Sequence, residues 1–478
     1  MSDGELRQVD EVVWEIPATK RPDMRVPARV FADADLLGAI RQDRSLEQLE
    51  NVATLPGIVG WSLAMPDIHQ GYGFPVGGVA ATAHPDGVVS PGGVGYDINC
   101  GVRLLAAPFT AEELGDRREP LVHEISRKVP PGAGKEGPLS LRGARLDRVL
   151  REGPRALVKQ HGIGREEDLE LTESGGCLDG ADLGAVSDRA RERGSRQLGT
   201  MGSGNHFVEV QCVDRVRDER AAKAYGLSEG QVTVLIHSGS RGLGHQVCTD
   251  YVKRMDAVRA RYGIELPDRQ LSCAPMSSPE GREYLAAMAA AANFAWANRH
   301  AIAHAIRGAI ERVVGPDAAR DTRQVYDVAH NVAKLEEHGR RRVCVHRKGA
   351  TRAFPPGSGE IPERYREAGQ PVFIPGSMGT SSFVLAGRPG SMERSFGTTC
   401  HGAGRRMSRT GARKQIGGAE LRRQLEEAGI VVRCPSNKGL AEEAPFAYKG
   451  VERVVEVVER AGLAARVAQL VPIGVVKG

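Results

Sequence analysis

The chain has 478 residues, enough for a large core and, by length alone, for roughly two to four domains. Its net charge of +5 and pI of about 8.8 are mildly basic, which permits a polyanionic substrate but excludes a protein that coats nucleic acid. Eight cysteines without a C-x-x-C pair exclude a zinc ribbon and a disulfide framework, and no run approaches the ~18 apolar residues that span a bilayer.

The start, MSDGELRQVDEVVWEI, is charged and has no apolar signal core, so a reducing, cytoplasmic setting is the expectation. Strands are predicted at 12–16 and 28–31, then a helix at 46–52. From Leu63 the sequence becomes dense in glycine: MPDIHQGYGFPVGGVAAT, then SPGGVGYDINCGVRLL. Asp67 and His69 are expected in the first of these turns, where a polar structural role competes with substrate contact for His69. Apolar strands at 77–89 and 102–106 flank GGVGYDINCGVR, which sets Asp97 three residues before Cys100 in a tight turn. One hard and one soft donor suit a metal ion; a buried structural cysteine is the plainer alternative.

Residues 110–195 show helix-compatible segments at 141–160 and 181–193, with a loop marked by Pro130, Pro131, Gly132 and Gly134, and no chemistry is read there. GTMGSGNHFVEVQ follows. It leads through Asn205 and His206 into a strand at 207–211, with Glu209 on the face opposite Val208 and Val210. A strand at 232–236 ends likewise in His237, followed by a glycine-rich turn with Arg241. Strand ends are where open sheets place ligand groups, which suggests a doubly wound sheet.

Residues 282–314 form the clearest helix, alanine-rich and buried. Its His300 and His304 are four apart and share a face; satisfied core histidines are the expectation over a metal site. A third strand, 325–329, ends in His330 and Asn331. RRVCVHRKGATRAFPPG reads as a strand at 343–345 opening into a basic turn with Arg347, Lys348 and Arg352, a candidate phosphate loop. PVFIPGSMGTSSFVLAG is strand, small-residue turn, strand, with hydroxyl donors at Ser377, Thr380, Ser381 and Ser382. SFGTTCHGAGRRMSRTGARK places His401 among glycines, just before Arg405, Arg406 and Arg409. Val451, Val454, Val455 and Val458 stripe a tail helix, and the apolar lead-in 471–476 is expected to draw Lys477 inside.

Asp97, Cys100, His206, His237 and His330 make five potential ligands. A tetrahedral site takes four, so five donors with a thiolate able to bridge suggest two adjacent ions. Paired ions clamp the attacking and leaving oxygens of a phosphoryl displacement, and arginine's fork matches phosphate oxygens. Thiolate and imidazole point to zinc. His401 is left as a sixth ligand, a general acid or base, or a covalent nucleophile. A two-metal phosphoesterase or nuclease that uses water, and a non-catalytic RNA-binding or structural metal protein, are the competing readings. No Walker A motif, Rossmann fingerprint or K-x-D-G lysine is present.

The ordered set MPDIHQGYGFPVGG, GGVGYDINCGVR, GSGNHFVEVQ, IHSGSRGLGH, VAHN, VHRKGATRAFPPG, IPGSMGT, CHGAGRRMSR and VPIGVVKG resembles the RtcB family of RNA-splicing ligases, from residue 63 to the last. Residues 1–60 and 110–195 carry little of the resemblance. It implies one large α+β unit over residues 1–478, with mixed sheets flanked by helices and the active site at strand ends and glycine-rich turns. It implies joining of RNA 2′,3′-cyclic phosphate or 3′-phosphate ends to 5′-hydroxyl ends, with GTP and two manganese ions. His401 matches the histidine that takes GMP; Asp97, Cys100, His206, His237 and His330 match the manganese ligands, with Cys100 bridging. Asn205, Glu209, Asn331, Pro375, Gly376, Ser377, Met378, Ser382, Gly402, Ala403, Gly404, Tyr448 and Lys477 match guanylate-binding positions. Arg241, Lys348, Arg405 and Arg409 fall where RNA or GTP phosphates lie. The RNA is a pair of tRNA halves or a broken RNA, an archease-type helper is an expected partner, and a monomer is the expected state.

Overall fold

Apolar runs with strand periodicity build two large sheets in the computed structural model, which describes residues 6–132 and 134–478. The first five residues of the charged start lie outside the described residues. A seven-stranded sheet runs in the order Arg7–Asp10, Val13–Ile16, Ala28–Phe31, Ile58–His69, Val76–Ala83, Arg341–Lys348, Asn331–His338. An eight-stranded assembly runs Arg323–Ala329, Gly101–Thr110, Gln231–Ser238, Phe207–Val216, Ala464–Lys477, Ser382–Gly387, Pro371–Ile374, with Val431–Arg433 beside Ala464–Lys477.

The fold is α+β. Among the described residues only two strand pairs are parallel, Ala28–Phe31 with Ile58–His69 and Val431–Arg433 with Ala464–Lys477. The doubly wound sheet suggested by the strand-end histidines is therefore not the architecture. Antiparallel neighbours bring alternate strand ends to the same edge, which gathers ligands as effectively as parallel strands do.

Helix Pro279–Val313 packs against the strand Gln231–Ser238. Ser278 caps it by accepting from the Gly281 N–H, and Pro279 stands at the first helical position, where no N–H is needed. Most of its alanines and Trp296 are buried, as the sequence suggests. Two other readings change. The helix expected at 141–160 is two, Ala144–Glu152 and Pro154–His161, broken at Gly153, whose φ of 60° and crowding by the Gly176 carbonyl admit only glycine. Asp67 and His69 lie on the strand Ile58–His69, not in a turn. The tail helix Val451–Arg460 buries Val451, Val454, Val455 and Val458, and the strand that follows carries Lys477 inside.

Candidate active site

Register alone assembles the first half of the site. Gly101 lies opposite both Ala329 and Ser238, His237 opposite Val102 and Phe207, and Phe207 opposite Lys477. Adjacent strands are about 4.8 Å apart, so Cys100, His330, His237, His206 and Lys477 arrive side by side at one sheet edge. The Asp97–Cys100 turn is closed by the Cys100 N–H donating to the Asp97 carbonyl at 3.0 Å, and Asn99 takes a left-handed φ of 54° within it. Arg299 on the long helix holds the turn from below, donating from Nη1 to the carbonyls of Asn99 at 2.7 Å and Ser238 at 2.9 Å.

The five expected ligands fall into two groups that share a thiol. Cys100, His237 and His330 form one, and Asp97, Cys100 and His206 the other, with donor atoms in each group within 4.8 Å of one another. Cys100 Sγ stands 3.3 Å from Nε2 of both His206 and His237; His237 and His330 face each other Nε2 to Nε2 at 3.3 Å. Asp97 Oδ2 lies 2.8 Å from His206 Nε2. Burial pushes all three imidazoles below their ordinary range, His237 and His330 far below, so they are neutral at neutral pH. Burial, then the Asp97 carboxylate, raises the Cys100 thiol. Burial also opposes ionisation of Asp97, but His206 and Arg241 outweigh it and hold the carboxyl low.

Two soft-to-borderline donor groups, one with a carboxylate and both with the same thiol, fit two metal ions with Cys100 between. His206 sharpens the point. Its Nδ1 lies 3.1 Å from the Met201 carbonyl, which requires Nδ1–H, and 3.1 Å from Arg241 Nη1, which requires a bare Nδ1. A cation on Nε2 selects the Met201 partner and the ligating tautomer.

The other half of the site comes from the seven-stranded sheet and from a two-stranded sheet in which Thr398–Cys400 pairs with Ala350–Arg352. Residues 330–331 carry the chain from one sheet to the other, and opposite them stands His401, just after the strand Thr398–Cys400. Its ring centroid is 4.8 Å from that of His330. Asp67, fully buried, accepts from His401 Nδ1 at 2.6 Å and from its backbone N–H at 3.1 Å. That leaves Nε2 with the lone pair. Gly404 has a φ of 71°, and a Cβ there would strike the Asp67 backbone, so glycine lets the two segments close on each other. Asp67 was not assigned a role from sequence; its Asp-x-His spacing from His69 is the available signal.

A cleft of about 290 Å³ opens between the halves, lined by Asp97, Cys100, His237, His330 and His401 and by Asn205, Asn331, Lys348, Pro375, Gly376, Gly402, Ala403, Gly404, Arg405, Arg409 and Tyr448. Asn331 donates to the Asp97 carbonyl at 3.0 Å and accepts from the Gly349 N–H at 2.8 Å. Tyr448, Arg405 and Arg409 all converge on the buried carboxylate of Glu443: the tyrosine hydroxyl donates to it, Arg409 Nε is 3.1 Å away and Arg405 Nη1 3.4 Å. Lys477 Nζ stands 4.0 Å from the same group and donates to the His206 carbonyl at 3.2 Å. Glu443, like Asp67, was not singled out from sequence.

Glu209, Ser377, Met378 and Ser382 stand outside the cleft lining, whereas Lys348 is part of it. Glu209 is buried, which raises its carboxyl to about 8; it accepts from Gln211 at 2.6 Å, and the same amide donates to Ser382 at 3.0 Å. Ser377 pairs with Thr380, and Met378 is packed into an apolar cluster. Lys348 donates to the carbonyls of Tyr72 and Phe74, and burial lowers its ammonium to about 7.

The basic phosphate loop does not exist as drawn. Arg347 ends up fully buried in the strand Arg341–Lys348, bidentate to Glu336 at 2.6 and 2.8 Å. Arg352, in the strand Ala350–Arg352, is tied to Gln370 at 3.0 Å and Glu360 at 3.4 Å. His300 is a core histidine facing Arg103 at 3.1 Å, and His304 accepts from the Gly164 N–H at 3.2 Å. His69 lines the cleft, and burial lowers its imidazole to about 4.

An α+β chain that sets clustered metal-type donors against an aspartate-held histidine is built as an enzyme. Comparison with known proteins gives the kind. The family model described as tRNA-splicing ligase RtcB matches residues 48–478. The chain is 54% identical over 478 residues to the tRNA-splicing ligase RtcB of Thermococcus kodakarensis, covering 99% of each, and 52% identical over 481 residues to that of Archaeoglobus fulgidus, covering 100% of this chain and 99% of the relative. It is 53% identical over 439 residues to the RNA-splicing ligase RtcB of Mycobacterium tuberculosis, covering 90% of this chain and all of the relative. The chain belongs to the RtcB family of tRNA-splicing ligases. The archaeal similarity takes in the first 60 residues, beyond the motif-bearing stretch. No helix among the described residues is long and apolar enough to cross a membrane.

Proposed function

We propose that this enzyme joins RNA 2′,3′-cyclic phosphate or 3′-phosphate ends to 5′-hydroxyl ends with GTP and two manganese ions, residues 1–478 acting as one monomeric, cytoplasmic unit. The observation that carries the reading is His401, held by Asp67 at 2.6 Å with its ring 4.8 Å from His330 of the shared-thiol cluster.

Asp97, Cys100 and His206 would hold one ion and Cys100, His237 and His330 the other. When bound, such ions mask phosphate charge and polarise the bonds that break. His401 Nδ1–H donates to Asp67, so Nε2 carries the attacking lone pair. It bonds to the innermost phosphorus of GTP and pyrophosphate leaves. The GMP then passes from His401 to an RNA 3′-phosphate oxygen, the cyclic form having first been opened by water. The 5′-hydroxyl oxygen attacks that phosphorus, its proton is lost, and GMP departs. Tyr448 and Lys477 with Glu209, Asn205, Asn331, Ser382 and the turns 375–378 and 402–404 would embrace the guanylate. Arg241, Lys348, Arg405 and Arg409 would meet phosphates. The kinship with tRNA-splicing ligases supports tRNA halves as one substrate; broken RNA is the other, and an archease-type protein is the proposed helper.

Incubation with manganese and α-labelled GTP is expected to leave label on the protein, and none on His401→Ala. Label persisting in that variant would move the nucleophile elsewhere. Metal-dependent phosphate release without any GTP requirement would favour the two-metal phosphoesterase.

A further inference from the structure

Three of the glycine-rich motifs each deliver an aromatic ring that this chemistry leaves unused: Tyr72 in GYGFP, Tyr96 in GGVGYD and His245 in GLGH. Chain segments far apart in sequence bring them into one row. Tyr72 meets Tyr96 edge-on with ring centroids 5.2 Å apart, and His245 lies over Tyr96 at 4.9 Å, tilted 32°. Tyr72 and Tyr96 are half-buried, His245 is exposed, and Tyr96 lines the cleft beside Asp97.

A packing cluster looks different. Tyr225, Tyr365 and Tyr326, with centroids at 5.1 and 6.2 Å, are buried, and the first two spend their hydroxyls on the carbonyls of Gly369 and Val325. The Tyr96 row instead has one ring on the cleft wall and one exposed, with arginines nearby. Arg241 stands at His206, and Arg193, bonded to Gln246 at 2.9 Å, flanks the start of the helix that carries His245. Partly exposed rings with neighbouring arginines are what a single nucleic-acid strand needs: a flat face for the base and charge for the phosphates.

Position says which strand. Successive ring contacts link His401 to His330 at 4.8 Å, His330 to His237 at 5.0 Å and His237 to His206 at 5.5 Å, and His206 meets Asp97, the residue that follows Tyr96 in the chain. On the ligase reading the guanylate would lie against His401. An in-line displacement puts the entering hydroxyl opposite the leaving group, at the Asp97 end. We propose that Tyr72, Tyr96 and His245 form a stacking platform for the first base of the 5′-hydroxyl RNA strand. The proposal rests on the ligase reading.

The test is binding without GTP, with manganese present. An RNA carrying 2-aminopurine at the first position of a 5′-hydroxyl strand is expected to lose fluorescence on the wild-type protein and on Tyr96→Trp, but not on Tyr96→Leu. An abasic first nucleotide is expected to bind the wild type about tenfold more weakly than a base-bearing one, and Tyr96→Leu is expected to bind both alike. No quenching at the first position in the wild type, quenching confined to the last base of a 3′-phosphate strand, or full discrimination in Tyr96→Leu would each overturn it. Because the wild-type readout needs no variant, misfolding of Tyr96→Leu leaves the question decidable. A protein that takes label from GTP yet fails to quench loses the platform alone; one that quenches but takes no label loses the ligase reading instead.

Discussion

Two buried polar clusters meet at Arg299, and their donors are disposed in opposite ways. Around Asp327 charge answers charge: Arg103 Nε donates to Oδ2 at 2.7 Å, Arg299 Nε to the same oxygen at 2.9 Å, and Arg299 Nη2 to Oδ1 at 2.8 Å, all fully buried. Across the Asn99 and Ser238 carbonyls that Arg299 also holds, three neutral imidazoles and a thiol converge, with ring nitrogens and sulfur 3.3 Å apart. The side chains of both clusters are buried. The first is a charge network in which removing a partner strands a charge, with Arg103 Nη2 left without a hydrogen-bond partner. The second gathers neutral donors on the wall of an open cleft, a disposition that suits cations and marks the functional site.

The sharpest way to break the comparison is Cys100→Ala. Both donor groups include Cys100, so bound manganese is expected to fall at both places and RNA joining to drop by well over a hundredfold, the scale set by residues that merely orient ligands. Metal-free stability should change by no more than about 1 kcal/mol, since the thiol fills little volume. Calorimetric metal titration beside a ligation assay checks this; two ions still binding at full affinity would refute the shared thiol. Asp327→Asn is expected to do the reverse. It strands two buried guanidinium groups, and denaturant unfolding of the metal-free protein should show a loss of about 3–5 kcal/mol. A small loss there would mean that Arg103 and Arg299 find other partners and that the network is less closed than its distances imply.

How far the sequence reveals these clusters depends on whether both members of a contact lie near each other in the chain. The strand-end histidines, the D-x-x-C turn, the long alanine helix and the buried Lys477 are legible because each is a local pattern: a strand period, a glycine turn, a helix stripe. Which strands become neighbours is not legible, since that register pairs Gly101 with residues more than a hundred positions away. Arg347 and Arg352 read as a phosphate loop for the same reason. Their carboxylate partners include Glu336 and Glu173, and Glu173 lies in the stretch 110–195 where no chemistry is visible. Asp67 looks like a turn residue because Pro66 precedes it and glycines follow. The strand absorbs that proline through a register shift between Ala64 and His69. Glu443 carries no motif at all; only its convergence with Tyr448, Arg405, Arg409 and Lys477 reveals it.

The smallest effect separates the two histidine pairs that sequence spacing makes look alike. His300 and His304, one helical turn apart, share a face as metal ligands would, yet no third donor joins them among the described residues. His300 is enclosed against Arg103, and burial lowers its imidazole to about 3, so it stays neutral. His304 is exposed and answers one backbone N–H, that of Gly164, at 3.2 Å. Replacing it by alanine removes one partly solvated hydrogen bond from the surface, which is expected to shift stability by about 0.5 kcal/mol or less. Metal stoichiometry and RNA joining should stay at the wild-type values. Loss of a bound ion in His304→Ala would place a metal on the long helix and erase the distinction between a satisfied histidine pair and a ligating one.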